Sequence, residues 1–146
     1  MKILALDSTA KKIAFVKQAA EELELSNLTA LSGRAEDKSV MEQLGLFDAV
    51  VSRAVARMNV LCELCLPYAR IGGFLLAMKA SKAEEEAEEA KNCIKTLGGG
   101  QTELIHKDLT HLDGISDPRC LIRIKKLGRH PKGYPRAYAQ IAKKPL

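Results

Sequence analysis

The sequence predicts an α/β protein built on an open, mostly parallel sheet that ends in an antiparallel hairpin. Short apolar runs alternate with helical segments along most of the chain, the pattern of parallel strands joined by crossover helices. The last two apolar runs, 103–109 and 119–126, have no helical segment between them and therefore predict a hairpin. The length of 146 residues suits one domain, so we expect a single domain over residues 1–146.

The first half of the chain begins with the apolar run 3–6, which ends at Asp7, a residue type that favours strand ends and helix caps. Apolar side chains then recur at helical spacing through 13–23. Residues 28–31 form a second apolar run, and 40–44 predicts a short helix.

The second half continues the alternation. The run 47–52 has β-branched residues at its centre and predicts a third strand. Residues 57–69 predict a helix, and 73–78 is a continuous apolar run of the kind that is buried on both faces. A further helix is predicted over 83–97.

Cys62 and Cys65 form a C-x-x-C pair, a spacing that also occurs in redox and metal sites. Both cysteines fall on one helical stripe with Met58 and Leu61, and no second pair or paired histidine completes a zinc set. We therefore expect buried, reduced thiols and no metal site.

No apolar stretch is long enough to cross a bilayer, and the opening residues do not resemble a signal peptide. We expect a cytoplasmic protein with no membrane partner.

The positive charge is concentrated at one end of the chain. The net charge is +5, and the segment from Arg123 to Leu146 has eight basic residues and no acidic one. We expect residues 127–146 to form a basic, irregular tail. Such a block is typical of polyanion binding, and a solubilising tail is the alternative that composition leaves open.

Ligands of open α/β sheets bind beyond the carboxyl ends of the strands, which makes Asp7 the most informative residue. An acidic residue at this position binds ribose hydroxyls in nucleotide-binding units, and assistance in helix capping is the alternative. Ribose binding would require a glycine-rich turn between a strand and a helix ahead of Asp7. We find none: the glycines at 98–100 follow a helix and open a strand, which is the reverse order.

Short motifs at the strand ends and in the tail resemble one family. They are, in order, Leu6-Asp7-Ser8, Gly33-Arg34-Ala35-Glu36, Ser52-Arg53-Ala54, Leu66-Pro67, Tyr134-Pro135-Arg136 and Lys144-Pro145-Leu146. Together and in register, along the entire chain, they resemble the ribosomal RNA small-subunit methyltransferase G family, also called glucose-inhibited division protein B.

The resemblance implies a Rossmann-like class I S-adenosylmethionine (SAM) methyltransferase sheet. We expect it to be incomplete at its N-terminal strand, because the family's glycine-rich SAM loop has no counterpart in these residues. It also implies SAM-dependent methylation of nitrogen 7 of a guanine in the decoding-centre hairpin of 16S rRNA. The partner would be 16S rRNA or the small ribosomal subunit.

The same resemblance assigns roles to individual residues. Asp7 and Ser8 fall near the SAM ribose, Ala35 and Glu36 at the adenine, and Arg53 beside the cofactor or an RNA phosphate. An ordinary ion pair at the strand end is the alternative for Arg53. No catalytic base is nominated, because guanine nitrogen 7 carries a free lone pair and no proton.

In the tail, we expect Arg129, Lys132 and Arg136 to contact RNA phosphates, with Tyr134 and Tyr138 available for stacking. The alternative is a surface strap in which Tyr134 packs against the sheet.

Two other functions compete with the methyltransferase. An oxidoreductase is one, since Asp7 would also suit NAD, but the sequence offers no hydride-transfer site. A truncated, catalytically inactive remnant that retains only RNA binding is the other.

Overall fold

The computed structural model describes residues 1–53, 55–110, 112 and 114–146. Ala54 of the third strand-end motif therefore lies outside the described residues. The chain divides into two compact units, Met1–Leu44 and Gly45–Leu146, which are described in turn.

The first unit is a parallel pair of strands with a crossover helix, as the sequence predicts. It contains β1 (Ile3–Asp7), α1 (Ala10–Glu22), β2 (Leu28–Ser32) and α2 (Lys38–Leu44). The two strands pair in register from Ile3 opposite Leu28 to Asp7 opposite Ser32. Their carboxyl ends therefore lie side by side.

The second unit is a mixed sheet with helices on one face. Its elements are β3 (Phe47–Arg53), α3 (Met58–Cys65), a 3-10 turn (Leu66–Tyr68), β4 (Ala69–Lys79), α4 (Ala83–Glu89), α5 (Lys91–Thr96), β5 (Gly99–Thr110), β6 (Ser116–Lys126) and α6 (Tyr138–Lys143). The strand order is β3-β4-β6-β5. β3 and β4 are parallel, whereas β6 is antiparallel to both of its neighbours. The predicted parallel sheet with a terminal antiparallel hairpin is confirmed.

The described strands form two sheets, of two and four strands, and β3 is an edge strand of the larger one. None of the described helices is both long and apolar enough to span a bilayer.

The core of the second unit confirms the predicted stripe of α3. Met58, Leu61 and Cys62 are fully buried, together with Cys93 of α5. All four cysteines are free. A hydrogen bond with Cys93, together with burial, raises the pKa of the Cys62 thiol, and burial raises the pKa of Cys65 to about 12. These thiols are therefore uncharged and pack as small apolar groups.

Two sequence-based expectations need correction. The helix predicted over 83–97 is two helices, α4 and α5, which meet at the buried residue Ala90; the bend keeps the apolar residues of both on the core. The tail is not irregular throughout, because 138–143 forms α6. Ile141 anchors that helix and is fully buried.

Lys126, at the end of β6, is a buried cation whose burial makes the stability of the protein depend on pH. Its side chain is 2% exposed and donates a hydrogen bond to the carbonyl oxygen of Leu97. Burial lowers its pKa from 10.5 to about 8. The unfolded chain therefore holds more protons than the folded one between pH 8 and 10.5, and the free energy of unfolding should rise with pH across that window.

We expect Lys126→Met to raise the free energy of unfolding at pH 7 by about 1–2 kcal/mol, since methionine keeps most of the volume without the buried charge. The free energy of unfolding of the variant should not increase with pH above pH 8. Urea denaturation from pH 7 to 10 measures both effects, with the exposed neighbour Lys125→Met as the control. A variant less stable than the parent at pH 7 would contradict the prediction.

Candidate functional site

The carboxyl end of β1 presents Asp7 as a pre-ordered carboxylate. The backbone N–H of Thr9 donates to its Oδ1 at 2.8 Å, and Nζ of Lys12 donates to its Oδ2 at 3.3 Å. The Thr9 hydrogen bond is the main cause that lowers the pKa of Asp7, so the group is ionised at neutral pH. Its side chain is 35% exposed.

Both interpretations of Asp7 are compatible with this geometry. The bond to Thr9 orders the residue just before α1, as the capping alternative expects. A carboxylate has about four acceptor positions, and the two contacts leave the others available to a ligand. Asp7 can therefore order the turn and bind a ribose diol at the same time.

The loop after β2 borders the same edge of the first unit. The N–H of Gly33 donates to the carbonyl oxygen of Asp7 at 3.1 Å, which joins the two strand ends. A Cβ at Gly33 would lie 2.9 Å from the side chain of Val40, so the turn favours glycine. Glu36 follows, with its side chain 10% exposed and paired with Arg34 at 3.1 Å. Ser8 is exposed, and Ala35 is partly buried.

A basic cavity of about 770 Å³ opens at the end of β3 in the second unit. Its lining includes Arg53, Arg57, Lys79, Lys107 and Arg119, with apolar residues between them. Arg53 is exposed and has no ion pair among the described residues. The alternative of a strand-end ion pair is thus not seen in the part of the chain that is described.

Two cations of this cavity hold its wall together. Nζ of Lys79 donates to the carbonyl oxygen of Ala56 and to Oε2 of Glu86, both at 2.6 Å. The same Glu86 oxygen accepts the N–H of Met58 at 2.9 Å, so one carboxylate joins β4, α4 and the start of α3. Arg57 pairs with Glu85 and Glu89 at 2.9 and 2.8 Å. Lys79 and Arg57 are therefore already neutralised.

The three predicted RNA-binding cations of the tail differ in their contacts and exposure. Arg136 forms a two-point ion pair with Glu63 of α3, at 2.8 Å from Nε to Oε1 and 2.6 Å from Nη2 to Oε2. Its backbone N–H also donates to Glu63 at 2.9 Å. Tyr134 packs against the core, as the strap alternative expects. Arg129 and Lys132 are exposed.

Lys107 and Arg119 of the cavity were not predicted as site residues. Sequence reasoning missed them because the register of the predicted hairpin, which sets Lys107 of β5 opposite Arg119 of β6, is not evident from the sequence.

Solved structures of SAM methyltransferases share this fold. A SAM-dependent O-methyltransferase from Thermotoga maritima aligns with a TM-score of 0.62 and 13% identity, over 90% of this chain and 52% of that one. A precorrin-6Y C5,15-methyltransferase from Geobacter metallireducens aligns at 0.61 and 14%, over 86% and 66%. An rRNA methylase from Streptococcus thermophilus aligns at 0.54 and 18%, over 87% and 74%. The fold is that of the class I SAM methyltransferases.

Sequence comparison identifies the family within that class. The profile of rRNA small subunit methyltransferase G matches residues 1–112. Proteins named ribosomal RNA small subunit methyltransferase G from Clostridium tetani and Lactobacillus johnsonii are each 42% identical to this chain, over 99% and 100% of its length. The chain belongs to the rRNA small subunit methyltransferase G family. It spans about 60% of the length of these relatives.

Proposed function

We propose that this protein is a SAM-dependent methyltransferase that modifies nitrogen 7 of a guanine in the decoding-centre hairpin of 16S rRNA. Its substrate would be 16S rRNA or the small ribosomal subunit, in the cytoplasm. Family membership over the whole chain, joined to an ionised carboxylate at the end of β1, carries the proposal. Nothing in the comparisons favours the alternative of an inactive remnant.

The residues of the first unit fit the nucleoside end of SAM. Asp7 is charged, held in place and partly exposed, which suits a carboxylate that accepts hydrogen bonds from two ribose hydroxyls. Ser8 would border the ribose, and Ala35 with Glu36 would contact the adenine from the loop after β2. Arg53 would orient the cofactor or an RNA phosphate. When bound, SAM supplies an electrophilic methyl group.

The protein itself has little proton chemistry to perform. Guanine nitrogen 7 offers a lone pair in the plane of the ring and loses no proton, so no general base is required. The residues of this chain would act by aligning the reactants and by holding the base out of its stack.

The exposed cations of the tail, Arg129 and Lys132, would contact rRNA phosphates. The proposed contribution of Arg136 is smaller than the sequence suggests, because Glu63 already engages its guanidinium group.

Asp7→Asn tests the proposal directly. The amide oxygen can still accept the Thr9 N–H, so the turn should survive, while the charge that would hold the ribose is lost. Hydrogen bonds to charged groups contribute about 1.5–3 kcal/mol each, so we expect SAM affinity to fall by about tenfold or more. The readout is N7 methylation of 16S rRNA in cells that lack this modification and express the protein from its own gene.

Asp48→Asn is the matched control, since Asp48 is an exposed carboxylate of the second unit that pairs with Arg70 at 2.7 Å and is not one of the proposed site residues. Undiminished methylation by Asp7→Asn would show that Asp7 does not hold the cofactor. Failure of the unmodified protein to methylate would refute the proposed function.

A further inference from the structure

Two cations of the terminal hairpin lie directly opposite each other. Lys107 of β5 pairs with Arg119 of β6 in the antiparallel register, and both line the basic cavity. Like charges in directly opposed positions destabilise a sheet. An arrangement that weakens the fold at the rim of a cavity calls for an explanation in terms of what the cavity binds.

The repulsion is only partly relieved within the described residues. Arg119 pairs with Asp117 at 2.8 Å, and this pair is about 40% exposed. Neither Lys107 nor Arg53 has an ion pair in the described part of the chain. Glu86 also lines the cavity, but Lys79 already neutralises it. Among the described residues, the cavity thus retains two uncompensated positive charges, those of Lys107 and Arg53.

These charges lie on opposite sides of an apolar floor. Arg53 of β3 pairs with Met78 of β4, and Met78 pairs with Leu121 of β6. Arg119 lies two residues from Leu121 along β6, and therefore on the same face of the sheet, with Lys107 opposite it on β5. The outer strands β3 and β5 are separated by three strand spacings, or about 14 Å. Contacts to successive phosphates of a polynucleotide suit that separation between the strands.

We infer that Lys107 and Arg119, facing Arg53 across the Met78–Leu121 floor, form a clamp for consecutive phosphates of an RNA strand. The floor would receive a base between the two phosphate contacts; the thioether of Met78 is a favourable neighbour for an aromatic ring. This inference rests on the proposed function and adds the hairpin residues that position the RNA.

The test is the binding of Lys107→Ala to an RNA hairpin with the sequence of the small-subunit decoding centre, followed by fluorescence anisotropy as salt is varied. Loss of one phosphate contact should make the slope of log affinity against log salt shallower by about 0.7–0.9. At 0.1 M salt the affinity should fall by about five- to tenfold. Arg119→Gln should have the same direction of effect.

Lys125→Ala is the matched control, because Lys125 is exposed on the same face of β6, six residues from Arg119 and therefore about 20 Å away. Its slope should equal that of the parent protein. Lys107→Ala should not lower the midpoint of chemical denaturation, since it removes a repulsion; a merely structural lysine would behave in the opposite way.

The outcomes separate the clamp from the proposed function. If the parent protein binds the hairpin and Lys107→Ala binds it equally well, the clamp is wrong and the proposed function stands. Equal losses in Lys107→Ala and Lys125→Ala would reduce the effect to overall charge and overturn the clamp. If Lys107→Ala loses affinity for guanosine monophosphate but not for the hairpin, the cavity binds a free nucleotide and the clamp is wrong. A parent protein with no affinity for the hairpin would overturn the clamp, whereas the proposed function is decided separately by the methylation of 16S rRNA.

Discussion

Replacing Arg136 by alanine is expected to lower the free energy of unfolding by about 3–5 kcal/mol, one of the two largest effects in this protein. Glu63 is fully buried. Its carboxylate accepts two hydrogen bonds from the guanidinium group of Arg136 and a third from the backbone N–H of the same residue. The substitution leaves a carboxylate in the core with only one of its hydrogen bonds. Its desolvation is then no longer offset by a partner.

Urea denaturation measures the loss, and Arg129→Ala, an exposed arginine of the same tail, should change stability by less than about 0.5 kcal/mol. Adding Glu63→Gln to Arg136→Ala should recover part of the stability, because it removes the stranded charge. A loss below about 1 kcal/mol for Arg136→Ala would mean that water reaches Glu63 in the variant and that the tail is not a fixed strap.

Gly98→Ala is the second substitution with a large expected effect. Gly98 has φ of +74°, and a Cβ there would lie 2.3 Å from the carbonyl oxygen of Gly128 and 2.7 Å from its carbonyl carbon. These atoms are backbone and cannot rotate away. The carbonyl oxygen of Gly98 also accepts the N–H groups of Leu127 and Gly128, so a shift would break both bonds. We expect a loss of about 4 kcal/mol or more, or failure to fold.

Gly45→Ala provides the comparison, because Gly45 has φ of +69° but no atom within 4 Å of the position of its Cβ. That variant should show only the cost of a left-handed backbone, about 1–2 kcal/mol. Equal losses from Gly98→Ala and Gly45→Ala would show that backbone conformation alone, without the contact to Gly128, explains the effect.

The sequence was sufficient to predict the succession of strands along the chain and the position of Asp7 at the end of β1, because both follow from local patterns. Apolar runs mark the strands, and the residue that ends a parallel strand lies at the ligand edge wherever the strand sits. The stripe of α3 was equally accessible, since helical spacing alone groups Met58, Leu61 and Cys62.

The long-range pairings could not be predicted in this way. Glu63 looks like a solvent-facing residue of its helix, and its partner Arg136 lies 73 residues away in a segment that composition assigns to a solvated tail. Lys126 belongs to the same basic block but is buried. The opposition of Lys107 and Arg119 depends on the register of the hairpin, which a shift by a single residue would abolish.

The ion pair between Glu63 and Arg136 also bears on the order in which the protein is made. A ribosome synthesises Glu63 long before Arg136. In the same way, β4 pairs with β6 in the sheet, and β6 is synthesised later than β4. Until Arg136 has been synthesised, the carboxylate of Glu63 has no cationic partner with which it can be buried. We therefore expect the second unit to complete its folding only after residue 136 has emerged from the ribosome, whereas the local pairing of β1 with β2 can form before that point.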